Sequence, residues 1–324
     1  MACCPKSIIA DILKAREDKG GIVNVYYVAC GGSYAGLHPG KYFLQSEAKK
    51  VTVDHYTANE FCHATPKALG PNSIVITQSH SGTTPETVKA AEIAQKAGAA
   101  SVVITFDDQS PLAKNGDYVL KYEAKAPADM SGMAFGLKLA VEILNQVEGY
   151  ENYDEMMNGF DRIDGIVKHA KEFLTPRAKI FAEEYKDEKL IYMMGSGANY
   201  RVAYSFAICL LMEMQWINSS AIHSGEYFHG PFEITDRETP FIILMSEGRT
   251  RPLDQRALDF LNRFAEKVIV LDAKELGLET IDDKVSEFFN PLLMGAALGC
   301  YSYELSIARK HPLSCRRYMW KLQY

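Results

Sequence analysis

No segment of this chain approaches eighteen uninterrupted apolar residues, and the N-terminus has no apolar signal-peptide core, so neither a membrane span nor a secretion signal is expected. Basic residues never gather into a stripe. The 35 Lys and Arg are mixed with 41 Asp and Glu along the chain, for a formal charge of -6. That argues against nucleic acid or an anionic membrane as partner. Cysteine is sparse and odd in number: Cys3, Cys4, Cys30, Cys62, Cys209, Cys300 and Cys315, mostly in apolar runs. Cys3-Cys4 is an adjacent pair and no C-x-x-C occurs, so neither a disulfide framework nor a zinc site is expected. Small buried thiols in a reducing, cytoplasmic setting fit better. Two nucleotide signatures are also missing. Neither glycine-rich turn completes G-x-G-x-x-G, and no G-x-x-x-x-G-K-[ST] exists, which makes a dinucleotide or nucleoside triphosphate a poor ligand.

What is present is a repeated alternation of strand and helix. Apolar residues make up 47% of 324, enough for one large or two ordinary α/β domains. Val23-Val25-Tyr27 leads into the glycine turn Ala29-Cys30-Gly31-Gly32-Ser33-Tyr34, with a helix through Tyr42, Phe43 and Leu44 and a short strand Val51–Val53. Strands follow at Ser73–Thr77, Ser101–Phe106 and Asp117–Tyr122. The order then returns: a helix over Arg177–Tyr185, a strand Leu190–Met194, a second glycine turn Gly195–Tyr200, and a helix from Tyr200 to about Trp216. Next come the strand Phe241–Met245 with the turn Ser246–Thr250, the helix Leu253–Lys267 and the strand Val268–Leu271. This predicts an α/β fold duplicated as two mostly parallel sheets flanked by helices, residues 1–155 and 156–324. The boundary falls in the polar stretch Gly149–Gly159.

Ligands of open α/β sheets sit at the carboxyl ends of the strands, where the turns at Gly31, Ser79, Gly195 and Ser246 fall. The turn Thr77-Gln78-Ser79-His80-Ser81-Gly82-Thr83-Thr84-Pro85-Glu86-Thr87 is the most telling. It ends a buried strand, and Pro85 opens a helix at its first position. Ser and Thr hydroxyls and backbone N–H groups at the positive end of a helix dipole suit a phosphate. No Lys or Arg lies within it, so hydrogen bonds would do the holding. A well-capped helix without a ligand is the alternative.

From Val202 to Ile222 the one charged side chain is Glu213, near the end of an oily helix. Helical spacing sets Phe206, Cys209, Leu210, Trp216 and Ile217 around it on the core-facing stripe. Burial would raise its pKa toward the range of a general base, unless it only bonds a nearby turn. Beyond it, His223-Ser224-Gly225-Glu226-Tyr227-Phe228-His229-Gly230-Pro231-Phe232-Glu233 gathers two His and two Glu. The spacing suits an acid–base pair better than a metal. His38, His63 and His169 read as structural or exposed.

Together these motifs resemble the double sugar-isomerase (SIS) proteins: the duplicated fold, the Ala29–Tyr34 and Ser79–Thr87 turns, and Gly225-Glu226-x-x-His229-Gly230-Pro231. They look like the isomerase half of glucosamine-6-phosphate synthase and the fructosamine-6-phosphate deglycases. Ile222–Glu226 and the tail His311–Lys321 resemble the deglycases acting on 6-phosphofructose-asparagine or -aspartate more than those acting on the lysine conjugates. The resemblance implies an enzyme that needs no cofactor or metal, acting on a phosphorylated sugar–amino acid in a homodimer with shared active sites. It puts phosphate or substrate binding on Gly31, Gly32, Ser33, Ser79, His80, Ser81, Thr84, Glu226 and Lys321, catalysis on Glu213, and a second catalytic group, given across the dimer interface, on His229. The tail would fold over the site. Nothing matches the synthase's glutamine-hydrolysing domain, so Cys3 and Cys4 are not expected to generate ammonia, and His80 stands where the synthases have glutamine. A plain aldose–ketose isomerase and a sugar-phosphate sensor without catalysis remain the alternatives.

Overall fold

The computed structural model describes residues 4–323; Cys3 lies outside them. The chain divides into two compact units, Met1–Asp161 and Arg162–Tyr324. In the first, β1 (Asn24–Ala29), β2 (Thr52–Thr57), β3 (Ser73–Ser79), β4 (Ala100–Thr105) and β5 (Tyr118–Lys121) form a parallel sheet in the order β2-β1-β3-β4-β5. Its helices are α1 (Pro5–Lys14), α2 (Gly31–Glu47), α3 (Ala58–His63), α4 (Pro85–Lys96) and α5 (Gly132–Glu148). Every position of β3 and β4 is buried. That is the state of parallel strands covered on both faces, and it explains their unbroken apolar runs.

Helices α2 and α5 approach closely because both carry glycine at the contact. A Cβ on Gly40 would stand 2.4 Å from the Gly136 carbonyl oxygen and 2.7 Å from the Tyr27 hydroxyl. The obstacle is partly backbone, which cannot rotate away. Gly40→Ala is expected to destabilise the protein by about 1–3 kcal/mol, the usual cost of overfilling a packed core. Urea unfolding measures it, and an unchanged midpoint would contradict the close approach.

A single helix, α6 (Tyr153–Tyr185), runs through the stretch expected to hold the boundary. The expected Arg177–Tyr185 helix is its last part. The second unit repeats the topology with one strand fewer: β6 (Leu190–Gly195), β7 (Asn218–His223), β8 (Phe241–Met245) and β9 (Val268–Asp272), ordered β7-β6-β8-β9 and all parallel. Helices α7 (Tyr200–Ser205), α8 (Arg251–Phe264) and α9 (Asn290–Ala308) accompany it. The order matches β2-β1-β3-β4 of the first unit, as a duplication requires.

Two expectations are corrected. The helix through Glu213 is α-helical only to Ser205; Phe206–Met214 is a π-helix. Bonding from i to i+5 widens the turn, so the α-helical neighbours assigned to Glu213 no longer share its stripe. Trp216, expected in that stripe, has φ 57 and is 44% exposed. The cysteines are not buried thiols either. Of those described, Cys4 is exposed and Cys30, Cys62, Cys209, Cys300 and Cys315 are partly exposed; all are free.

Candidate active site

In the first unit, parallel pairing sets Ala29 beside Gln78, so β1 and β3 end together. Helices α2 and α4 therefore start side by side. Gly31, Gly32 and Ser33 do not precede a helix, as the sequence suggested; they form the first turn of α2. Neither N-cap, Cys30 for α2 nor Thr84 for α4, caps its helix with its side chain. The Thr84 hydroxyl instead meets Ser79 Oγ at 3.0 Å, and Ser79 Oγ accepts the Gly82 N–H at 3.1 Å. Ser81 Oγ lies 2.8 Å from Thr83 Oγ1 and accepts the Thr83 N–H at 3.2 Å. Thr87 Oγ1 lies 3.9 Å from Cys30 Sγ, joining the two helix starts. The result is a cluster of hydroxyls beside two helix N-termini, groups of the kind that suit an anion. His80 is exposed beside it, with Nδ1 3.0 Å from the Tyr122 hydroxyl and its ring against Phe106.

The corresponding turn of the second unit is filled from within. The Arg249 N–H donates to Glu287 Oε2 at 3.2 Å, Ser246 N–H to Asp254 Oδ2 at 3.0 Å, and Glu247 N–H to Asn290 Oδ1 at 2.9 Å. Arg249 Nε donates to Glu287 Oε1 at 2.6 Å. Burial pushes the Asp254 carboxyl above its usual range, against the hydrogen bond from the Ser246 N–H that pulls it down. Two carboxylates and an amide oxygen of the chain thus take the backbone donors of this turn. The Ser246 turn, although placed as the sequence suggested, is closed to an outside anion.

Glu213 faces a different neighbour from the ones expected. Its Oε1 accepts from Arg316 Nη2 at 2.7 Å, and its side chain is 23% exposed. Desolvation raises the Glu213 pKa, and the Arg316 charge and hydrogen bond work against that rise. Arg316 is itself fixed. Nη1 donates to the carbonyls of Leu313 and Cys315, both at 2.8 Å, and the guanidinium lies 5.0 Å from the Trp320 ring centre. Gln215 Nε2 donates to the His311 carbonyl at 2.8 Å, tying the start of the tail to the end of the π-helix. Between the two lies a cavity of about 520 Å³, lined among others by Met212, Glu213, Asn218, Arg316 and Arg317. Of the tail's basic residues, Arg316 meets Glu213 and Arg317 lines the same cavity. The Lys321 ammonium donates to the Arg316 carbonyl at 2.5 Å and points back into the tail.

Glu226 and His229 stand on the turn after β7. Tyr227 anchors that turn at 0% exposure, its hydroxyl bonded to Thr235. Glu226 and His229 point outward and are exposed, joined through the His229 N–H and the Glu226 carbonyl at 2.9 Å. No hydrogen bond links His229 to Glu213 among the described residues. His223, upstream, is half-buried; burial lowers its pKa, and its Nδ1 accepts the Gly225 N–H at 3.0 Å. No group of three His, Cys, Asp or Glu among the described residues is arranged to hold a metal ion. No described helix is long and apolar enough to cross a membrane.

The first unit thus carries a hydroxyl-rich turn at a helix start, and the second a carboxylate oriented by an arginine at the edge of a cavity, each beside a parallel sheet of an α/β fold. The chain belongs to the SIS domain family, whose model matches residues 23–146 and 184–277, and it is an enzyme of that family. It is 45% identical to the fructosamine deglycase FrlB of Bacillus subtilis, over 94% of this chain and 93% of that one. It is 26% identical to the fructoselysine 6-phosphate deglycase of Escherichia coli K12, over 96% and 88%. A crystal structure from Salmonella typhimurium LT2, provisionally named a phosphosugar isomerase, superposes with TM-score 0.96 at 48% identity, covering 99% of this chain and 96% of that one.

Proposed function

We propose that this protein is a fructosamine-6-phosphate deglycase. It converts a 6-phosphofructosamine amino acid, 6-phosphofructose-asparagine or -aspartate, plus water into glucose 6-phosphate and the free amino acid. The observation that carries the reading is Glu213, a partly buried carboxylate oriented by Arg316 at the edge of a cavity, its pKa raised by desolvation. Its support is the likeness to deglycases along nearly the whole chain.

The chemistry needs one proton moved between adjacent carbons. Glu213 takes the C1 proton of the opened sugar, giving an enaminol, and returns a proton to C2. The product is the imine of glucose 6-phosphate. Water adds to its carbon, the C–N bond breaks, and the nitrogen leaves as the protonated amine. His229, exposed on its turn and given to the site by a second copy in a homodimer, acts as general acid in ring opening or imine hydrolysis. Gly31, Gly32, Ser33, Ser79, Ser81 and Thr84 bind phosphate, with His80, Glu226 and Lys321 as further substrate contacts. The reading includes neither cofactor nor metal, because the oxidation of C1 and reduction of C2 balance within the sugar and the steps as written need no metal activation. The protein works in the cytoplasm.

A coupled assay for glucose 6-phosphate tests this with the aspartate, asparagine and lysine conjugates of 6-phosphofructose. Turnover of the first two above the third is expected; silence on all three, with sugar phosphate still bound, would return the isomerase and sensor readings. A pH prediction follows from the ion pair. Arg316 favours the charged form of Glu213, so Arg316→Gln raises the Glu213 pKa further. As the base acts deprotonated, the acidic limb of the kcat/KM profile moves to higher pH. An unmoved limb would show that Glu213 is not the group titrating there.

A further inference from the structure

The tail carries a second arginine that the ion pair with Glu213 does not use. Arg317 is exposed, its guanidinium lies 4.4 Å from the Trp216 ring centre, and it makes no ion pair among the described residues. A guanidinium held against an indole face by cation–π attraction keeps its N–H groups available to donate to a carboxylate through two parallel bonds. Arg317 and Trp216 both line the cavity beside Glu213. At about 520 Å³ the cavity falls in the size range of small-molecule sites. Its charge is unbalanced: two guanidinium groups face one carboxylate, and that carboxylate is already held by Arg316. Met212 and Ile217 supply apolar wall, and Asn218 an exposed amide.

We infer that this cavity is the subsite for the amino-acid half of the substrate, with the α-carboxylate on Arg317. This rests on the deglycase reading and deepens it. The surplus positive charge accepts a second carboxylate or a neutral amide at the end of a short side chain. It repels the ammonium of a lysine conjugate, for which no unpaired acid waits in the cavity. Selectivity among conjugates is then set by the tail and by the residues joining the π-helix to β7, apart from the groups that move the proton.

The test is calorimetric binding to Glu213→Gln protein, in which turnover is suppressed, with fructose 6-phosphate and the aspartate and lysine conjugates of 6-phosphofructose as probes. The aspartate conjugate is expected to bind more tightly than fructose 6-phosphate and the lysine conjugate. Adding Arg317→Gln should weaken the aspartate conjugate by about tenfold or more, the scale of one hydrogen-bonded charge pair. Fructose 6-phosphate should be unaffected, and Arg317→Lys should restore part of the loss. Equal weakening of fructose 6-phosphate would mean a merely structural role, and no weakening of the conjugate, or a lysine conjugate bound as tightly as aspartate, overturns the assignment. The two readings separate. Arg317-dependent binding by wild-type protein that releases no glucose 6-phosphate would keep the subsite and sink the deglycase. Release of glucose 6-phosphate without Arg317 dependence would do the reverse.

Discussion

Glu213→Gln is expected to lower turnover of a phosphofructosamine by about 10²- to 10⁴-fold, the usual contribution of a positioned general base. The substitution keeps the shape of the side chain and leaves an oxygen where Arg316 Nη2 now donates at 2.7 Å. The two other bonds of Arg316, to the Leu313 and Cys315 carbonyls, do not involve Glu213 at all. The tail should therefore stay docked, and the melting temperature should shift little. What is lost is a group able to take and return a proton. Sugar phosphate should bind as it does to the wild-type protein, because the hydroxyl turn at Ser79–Thr84 is untouched. Glu213→Asp gives the internal check: the charge remains but the carboxylate retreats by one methylene, so activity should fall between the two. If Glu213→Gln turned over at near-wild-type rate, the assignment of the base would be wrong, whatever the fold or the relatives suggest. If it failed to fold, Glu213→Asp would still separate a structural carboxylate from a catalytic one by its loss of kcat at unchanged stability.

Much of the frame could be read in advance because it is written in local patterns. The buried strands β3 and β4 are continuous apolar runs, and the hydroxyl turn sits between one of them and a proline-initiated helix. Strand β7 was missed for the opposite reason. Asn218-Ser219-Ser220-Ala221-Ile222-His223 is polar because it lies at a sheet edge, paired on one side only with β6. Its strand state comes from that pairing and not from its composition. Of α6 only Arg177–Tyr185 was read as helix, and the polar stretch Gly149–Gly159 as a boundary, because charged residues alternate with apolar ones through its N-terminal half; yet Met156, Phe160 and Ile163 are buried there. A helix that buries only a narrow stripe gives a weak signal in sequence.

The site shows the same division. The isolation of Glu213 in an oily segment was visible, and so was the charge of the tail. Their pairing was not, because Glu213 and Arg316 are far apart in sequence and meet only after folding. The π-helix was equally hidden: Phe206–Met214 has a composition that an α-helix would accept, and only tertiary packing decides the wider turn. Glu287 was unremarked because nothing near it in the chain hints at the turn it closes. One signal was available for that. Gly248 has φ 101, and a Cβ there would stand 2.3 Å from the Glu287 Cβ, so a glycine was kept where a side chain approaches.

Gly82→Ala is expected to cost both stability and phosphate binding. Gly82 has φ 66, which an alanine adopts at a cost of roughly 1–2 kcal/mol. Its new Cβ would also lie 2.0 Å from Ser110 Oγ and 2.3 Å from Ser110 Cβ. The hydroxyl could rotate away, but the Ser110 Cβ is fixed to a backbone whose neighbours bond to this turn: the Leu112 N–H donates to the Gly82 carbonyl at 2.9 Å. Overlap of this kind adds about 1–3 kcal/mol. The turn must open to relieve it, and opening breaks the Gly82 N–H to Ser79 Oγ bond that holds the hydroxyl in place. Sugar-phosphate affinity should then fall together with the melting temperature. The double variant Gly82→Ala, Ser110→Gly separates the causes. It removes the overlap and leaves the backbone strain, so it should recover part of the stability. Affinity recovered in step would tie phosphate binding to the shape of this turn, and affinity unaffected by either variant would place the phosphate elsewhere on the chain.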